Sequence, residues 1–117
     1  MIYTSYFSSK KYNKEKGISI SHWNKFWEGD KYPLLYPSEN LLSWWKDLPE
    51  YARQLDECKD QYTKAYYKET LEPLNPHWVA QALDGKVLLC YEKSSDFCHR
   101  HIVAAWLRHY GYEVQEL

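Results

Sequence analysis

The sequence predicts an α/β sandwich: a small single domain over residues 1–117, with a mainly parallel central sheet flanked by helices. Three observations carry this reading. Short β-branched and aromatic runs alternate with longer stretches of helical periodicity, the pattern of strands joined by helical crossovers. Val87-Leu88-Leu89-Cys90-Tyr91 is almost continuously apolar, as expected of a strand buried on both faces. The length, 117 residues, suits one core that buries roughly 65% of the unfolded surface.

The elements follow in order. Ile2-Tyr3-Thr4-Ser5-Tyr6-Phe7 is β-branched and aromatic and reads as the first strand. Ser8 to Gly17, with four lysines, reads as an exposed connection. Ile18-Ser19-Ile20-Ser21 alternates apolar and polar residues, a short second strand. His22 to Pro37 holds two prolines, a glycine and several aromatic rings, and is expected to be a long irregular loop packed by its own rings. Ser38 is a suitable N-cap for a helix through Leu41, Leu42, Trp44 and Trp45. Pro49 breaks the chain, and Leu55, Cys58, Tyr62, Ala65 and Tyr66 then follow helical spacing within 50–71. Pro76 opens another helix with Trp78, Val79, Ala82 and Leu83 inside it. Asp84-Gly85 is a turn before the buried strand. A short polar loop leads to a helix starting near Phe97, with Ile102, Val103, Trp106, Leu107 and Tyr110 on one side and Gly111 as its stop. Tyr112 to Val114 closes the set as a last strand.

A formal net charge of −1 excludes a general attraction to nucleic acid or anionic membrane, so any polyanion contact needs a local basic patch. Aromatic residues make up 18% of the chain; such rings fill cores and rims, and they also form platforms that stack bases or sugars. Three cysteines, an odd number, follow an N-terminus that reads as a strand rather than a targeting segment. The expectation is a reducing, cytoplasmic setting in which Cys58, Cys90 and Cys98 are reactive, metal-bound or buried. No apolar run approaches the ~18 residues of a membrane span.

The strand ending at Cys90-Tyr91-Glu92 and the helix opening at Cys98-His99-Arg100 gather two thiols, a carboxylate, an imidazole and a guanidinium at one strand-to-helix junction. Open α/β folds bind ligands beyond the C-terminal ends of their strands. His99 and Arg100 in a first helical turn oppose the helix dipole, which an anion bound there would reverse. Arg100 is therefore the expected anion ligand, its alternative being a bridge to Glu92 or Asp96. Cys98 at that helix start is placed for a lowered pKa and nucleophilic use. Cys90 is a packing thiol or a second nucleophile, Glu92 the general acid or base, and His99 a proton carrier. Thr4, Ser5, Ser19 and Ser21 offer hydroxyls at the same sheet end if the strands are parallel, and His22 and Trp23 begin the loop that would cover the site. Trp44-Trp45 and Tyr66-Tyr67 read as helix packing.

No metal or cofactor is expected. The Cys90-x7-Cys98-His99 spacing matches no common zinc pattern. Adjacent ligands on a helix of ~3.6 residues per turn diverge by about 100°, which strains joint use of Cys98 and His99. The alternative is zinc or iron on Cys90, Cys98 and His99, completed by His77 or Glu92. Dinucleotide, Walker, nucleophile-elbow and zinc-protease motifs are absent.

Leu88-Leu89-Cys90-Tyr91-Glu92-Lys93 followed by Asp96-Phe97-Cys98-His99-Arg100-His101 resembles the signature of the domain-of-unknown-function 488 family. The opening Ile2 to Phe7, Ile18 to Ser21, Tyr36-Pro37-Ser38 and Leu74-Asn75-Pro76 extend the resemblance over nearly the whole chain. It implies a compact α/β domain with Cys90, Glu92, Cys98, His99 and Arg100 as hallmark positions, and no settled reaction. Many members carry an arginine after the second strand, where this chain has Ser19-Ile20-Ser21-His22. The expected function is an enzyme or ligand-binding domain for a small anionic or nucleotide-like molecule. The alternatives are a nucleic-acid or protein binding module, or a metal-stabilised structural domain.

Overall fold

The computed structural model describes residues 1–93 and 96–117; Ser94 and Ser95, in the expected polar loop, lie outside the described residues. Five strands, β1 (Ile2–Tyr6), β2 (Gly17–Ser19), β3 (Asp30–Lys31), β4 (Val87–Cys90) and β5 (Val114–Glu116), form one sheet in the order β3-β2-β4-β1-β5. Every pairing is parallel. Among the described residues five α-helices accompany it: α1 (Glu39–Asp47), α2 (Glu50–Arg53), α3 (Asp56–Tyr66), α4 (Pro76–Leu83) and α5 (His99–His109). The expected α/β sandwich is the fold.

Side-chain alternation explains the layers. All four residues of β4 are buried, and in the middle of the sheet it must satisfy both faces. Leu88 joins Ile2, Ile18, Ile20 and Val114 in the core that receives Leu41 of α1, Tyr62 and Tyr66 of α3, Val79, Ala80 and Leu83 of α4, and Val103, Ala104, Trp106 and Leu107 of α5. Val87 and Leu89 turn the other way and pack with Trp27, Tyr3, Phe7 and Tyr12. Helices thus supply one cover of the sheet and aromatic loop residues the other. Gly17 of β2 lies so close to this second cover that a Cβ there would meet Leu89 Cδ1 at 2.8 Å and the Trp27 ring at 2.9 Å.

Local signals set the boundaries. Ser38 caps α1 by accepting from the Leu41 amide at 3.1 Å. Asn75 caps α4 in the same way, with Pro76 at its first position. Gly111, at φ 93°, ends α5.

Several expectations need correction. The span 50–71 is α2, α3 and a π-helical turn, Tyr67–Leu71, rather than one helix. Leu55 lies between the first two and is exposed, so it is a boundary and not a core position. Trp78 and Ala82 point outward from α4, where Val79, Ala80 and Leu83 face the core. The last strand is Val114–Glu116, two residues later than the apolar pattern suggested. The aromatic loop contains a two-residue strand, β3, and a short 3-10 turn at Pro33–Leu35. Among the described residues, no helix is long and apolar enough to cross a membrane.

Candidate functional site

The chain leaves β2 toward β3 on one side and leaves β4 toward β5 on the other. The connections beyond these two neighbouring strands therefore diverge, and a crevice opens where ligands bind in open α/β sheets. A cavity of about 390 Å³ occupies it. Ser21, His22 and Trp23 line it from the segment after β2, and Tyr91, Glu92, Phe97, Cys98 and His99 from the segment after β4. Leu42, Trp45 and Lys46 of α1, Tyr62 of α3 and Pro37 also line it. Burial first, then Glu92 and Glu69, raises the Tyr62 phenol well above its usual range, so it stays protonated. A depression of about 620 Å³ lies at the other end of the sheet, around Met1, Ile2 and Glu113, away from the strand C-termini.

The loop after β2 is held by Asn24, a buried residue that the sequence reading passed over. Its amide nitrogen lies 2.9 Å from Ser19 Oγ, 2.7 Å from the Ser21 carbonyl and 2.9 Å from the Tyr36 hydroxyl, its two N–H groups shared among these acceptors. Ser19 is thus engaged inside the loop and does not reach the cavity. Ser21 does line it, and its hydroxyl is buried with no hydrogen-bond partner among the described residues. A buried hydroxyl without a partner costs free energy on the order of 1–3 kcal/mol. Trp23 stands 46% exposed, with Lys46 Nζ over its ring at 4.0 Å from the centroid, a cation–π contact.

Cys90 ends β4, and Cys98 is the N-cap of α5 with extended backbone, φ −154° and ψ 148°. Cys98 therefore precedes the first turn of α5. The divergence of adjacent helical ligands does not apply to Cys98 and His99, and their side chains converge. The sulfurs of Cys90 and Cys98 meet in a disulfide contact, with Cα atoms 7.4 Å apart. His99 Nε2 lies 2.7 Å from the Ile20 carbonyl. A carbonyl only accepts, so Nε2 carries the proton and Nδ1 presents its lone pair. That atom is 3.8 Å from Cys98 Sγ. Burial lowers the His99 pKa to about 4, against a smaller raising effect of the Ile20 carbonyl, and the ring is neutral near pH 7.

Arg100 corrects the expectation of an anion ligand. Its side chain is fully buried. Nε and Nη2 donate to the two Glu116 carboxylate oxygens at 3.1 and 2.9 Å, while Nη1 donates to the Glu92 carbonyl at 2.7 Å and to Cys90 Sγ at 3.0 Å. The bridge runs to the carboxylate of Glu116 rather than to that of Glu92 or Asp96. Thr4 is drawn into the same cluster, donating to Glu116 Oε1 at 2.6 Å, because the sheet register sets Thr4 beside Glu116. Neither Thr4 nor Arg100 is among the residues that line the cavity. Glu92 is exposed at the rim, so the premise of a desolvated carboxylate does not hold. Ser5 donates to the Leu117 carbonyl instead of facing the cavity. His77 packs against Tyr112 on the far depression and takes no part in the thiol cluster.

Of the sequence-predicted residues, Ser21, His22, Trp23, Glu92, Cys98 and His99 share the cavity, with Cys90 just behind. Trp45, Lys46, Tyr62 and Phe97 were missed as lining residues. Periodicity marked Trp45 and Tyr62 as packing positions, and nothing in the sequence separates a helix's core face from the edge that borders a crevice.

A family model described as the active DUF488-N3 subclade, DUF488-N3a, matches residues 2–111. No curated protein and no solved structure matches the chain.

Proposed function

The chain belongs to the DUF488 family, whose name assigns no reaction, and from that premise we propose that it is an enzyme acting on a small nucleotide-like molecule held in the crevice between β2 and β4. The carrying observation is the cavity itself: aromatic walls from Trp23, Trp45, Tyr62, Tyr91 and Phe97 beside Ser21. Its volume falls in the ordinary range of small-molecule sites, about 300–1,000 Å³. A planar ring stacks on such walls in a way that tolerates its exact substitution pattern. Lys46 at the rim, rather than Arg100, would meet a phosphate. Reaction would take place at the Cys98–His99 wall, where the His99 Nδ1 lone pair faces sulfur. The matched subclade's description as active agrees with catalysis. A cavity with one lysine among its described lining residues suits a small ligand better than a polyanion, which needs a basic track.

The test is thermal stabilisation by a panel of nucleosides, nucleotides and inorganic phosphate on the wild type, Trp23→Ala and Lys46→Gln. A ligand at a hundred times its Kd stabilises by about 2.7 kcal/mol. Trp23→Ala should weaken binding by about 1–3 kcal/mol, the usual worth of one stacking contact. Lys46→Gln should weaken phosphorylated ligands more than their nucleosides. Absence of any shift in the wild type, or equal shifts in all three proteins, refutes the reading.

A further inference from the structure

We propose that Cys90, Cys98 and His99 bind a zinc ion as a Cys2His centre whose fourth position opens into the crevice. The use of that position in catalysis rests on the pocket reading above. The ligand atoms of the three residues all lie within 4.8 Å of one another, and all three residues are buried.

The backbone spacing favours a shared third atom over a bond between the sulfurs. Disulfides usually join Cα atoms about 4.4–6.8 Å apart, and above about 7 Å the backbone must move. Here the separation is 7.4 Å. In a tetrahedral site, Zn–S of about 2.3 Å and Zn–N of about 2.0–2.1 Å put sulfur about 3.8 Å from sulfur and about 3.6 Å from nitrogen. His99 Nδ1 already stands 3.8 Å from Cys98 Sγ. Retreat of the two sulfurs to metal-bridged spacing is the direction in which the wide Cα separation points.

The surroundings carry the features that support thiolate–imidazole sites. A metal-bound histidine normally donates its other ring N–H to a carbonyl or carboxylate, and His99 donates Nε2–H to the Ile20 carbonyl. Arg100 Nη1 donates to Cys90 Sγ at 3.0 Å, a contact that favours thiolate over thiol. Cys98 and His99 border the cavity and Cys90 lies behind them, so the remaining tetrahedral position is on the cavity side. A soft pair of thiolates with one imidazole selects zinc or iron over magnesium and calcium.

Full-length protein purified under reducing conditions is analysed for zinc by mass spectrometry, and its zinc is then exchanged for cobalt. The wild type and Cys58→Ser should retain stoichiometric metal through gel filtration, while Cys98→Ser and His99→Ala should not. The cobalt form should show thiolate-to-metal charge transfer and tetrahedral visible bands, and added azide should shift them. Where a ligand variant fails to fold, the wild-type cobalt spectrum decides alone. Metal-free wild type, or zinc retained equally by folded ligand variants, overturns the site. Bands insensitive to azide overturn the open position. Nucleotide stabilisation is followed separately in chelated protein. Metal without nucleotide binding in either form refutes the pocket reading, and nucleotide binding without metal refutes the zinc centre.

Discussion

Replacing Arg100 by methionine separates a structural guanidinium from a ligand-binding one. The substitution keeps an unbranched apolar stem and removes donors to Glu116, the Glu92 carbonyl and Cys90 Sγ. It takes the Arg100 guanidinium away from the Glu116 carboxylate. Breaking a buried ion pair from one side costs about 3–5 kcal/mol. The Glu116 side chain is 23% exposed, water reaches part of it, and the lower value, about 3 kcal/mol, applies. An unfolding entropy of about 2.1 cal/mol/K per residue over 117 residues converts this to a fall in Tm of about 12 °C. Thermal and urea unfolding of the wild type, Arg100→Met and the double variant Arg100→Met/Glu116→Leu form the assay. The double variant should recover part of the loss, because an apolar pair leaves no buried charge alone. An Arg100→Met protein that melts within about 2 °C of the wild type, yet no longer responds to phosphorylated ligands, would refute the structural assignment and return Arg100 to the site.

Stability of chelated protein should fall as pH drops from 6.5 toward 4. Over that window the unfolded chain protonates His99 while the folded chain, with its pKa lowered to about 4, does not. The full effect is about 3 kcal/mol, and burial lowers the His101 pKa in the same direction. His99→Gln should flatten the acid limb in urea titrations, and an unchanged limb would contradict the buried neutral ring. Gly17→Ala should destabilise by about 1–3 kcal/mol through overpacking, since its Cβ would press on Leu89 and Trp27; chemical denaturation showing no loss would mean that this cover of the sheet yields easily. Ser38→Ala should cost about 1 kcal/mol by removing the cap of α1, and helix-specific hydrogen exchange would locate the fraying.

The sequence was informative where one residue type answers one local demand. Ser38 and Asn75 satisfy helix-start amides, Gly111 supplies a left-handed turn, and the apolar run at Val87 to Cys90 announces a central strand. β3 was not legible. Asp30 and Lys31 are exposed and polar, and they join the sheet through backbone bonds such as Tyr32 N–H to the Ser19 carbonyl. The thiol–imidazole cluster and Ser21 were legible because they flank strand ends. The destination of Arg100 was not, because its partner Glu116 arrives through the parallel register of β5 on β1. Sequence separation and residue type alone do not report register, since a one-residue slip reverses every side chain of a strand.

The order of the sheet has a consequence for how the chain assembles. β1 and β2 come early in the sequence, yet they do not pair with each other; β4 stands between them, with Tyr3 and Gly17 both set against Val87. Until the residues of β4 join, the first two strands have no common partner, and their backbone groups face water or each other in a wrong register. Non-local parallel pairing of this kind slows folding, because loop closure precedes any gain from contact. During synthesis the residues before Val87 would wait with open strand edges, the usual route to misassembly. β4 is therefore the strand whose arrival joins β1 to β2, and because it ends in Cys90 the same step sets the first thiol of the cluster in place.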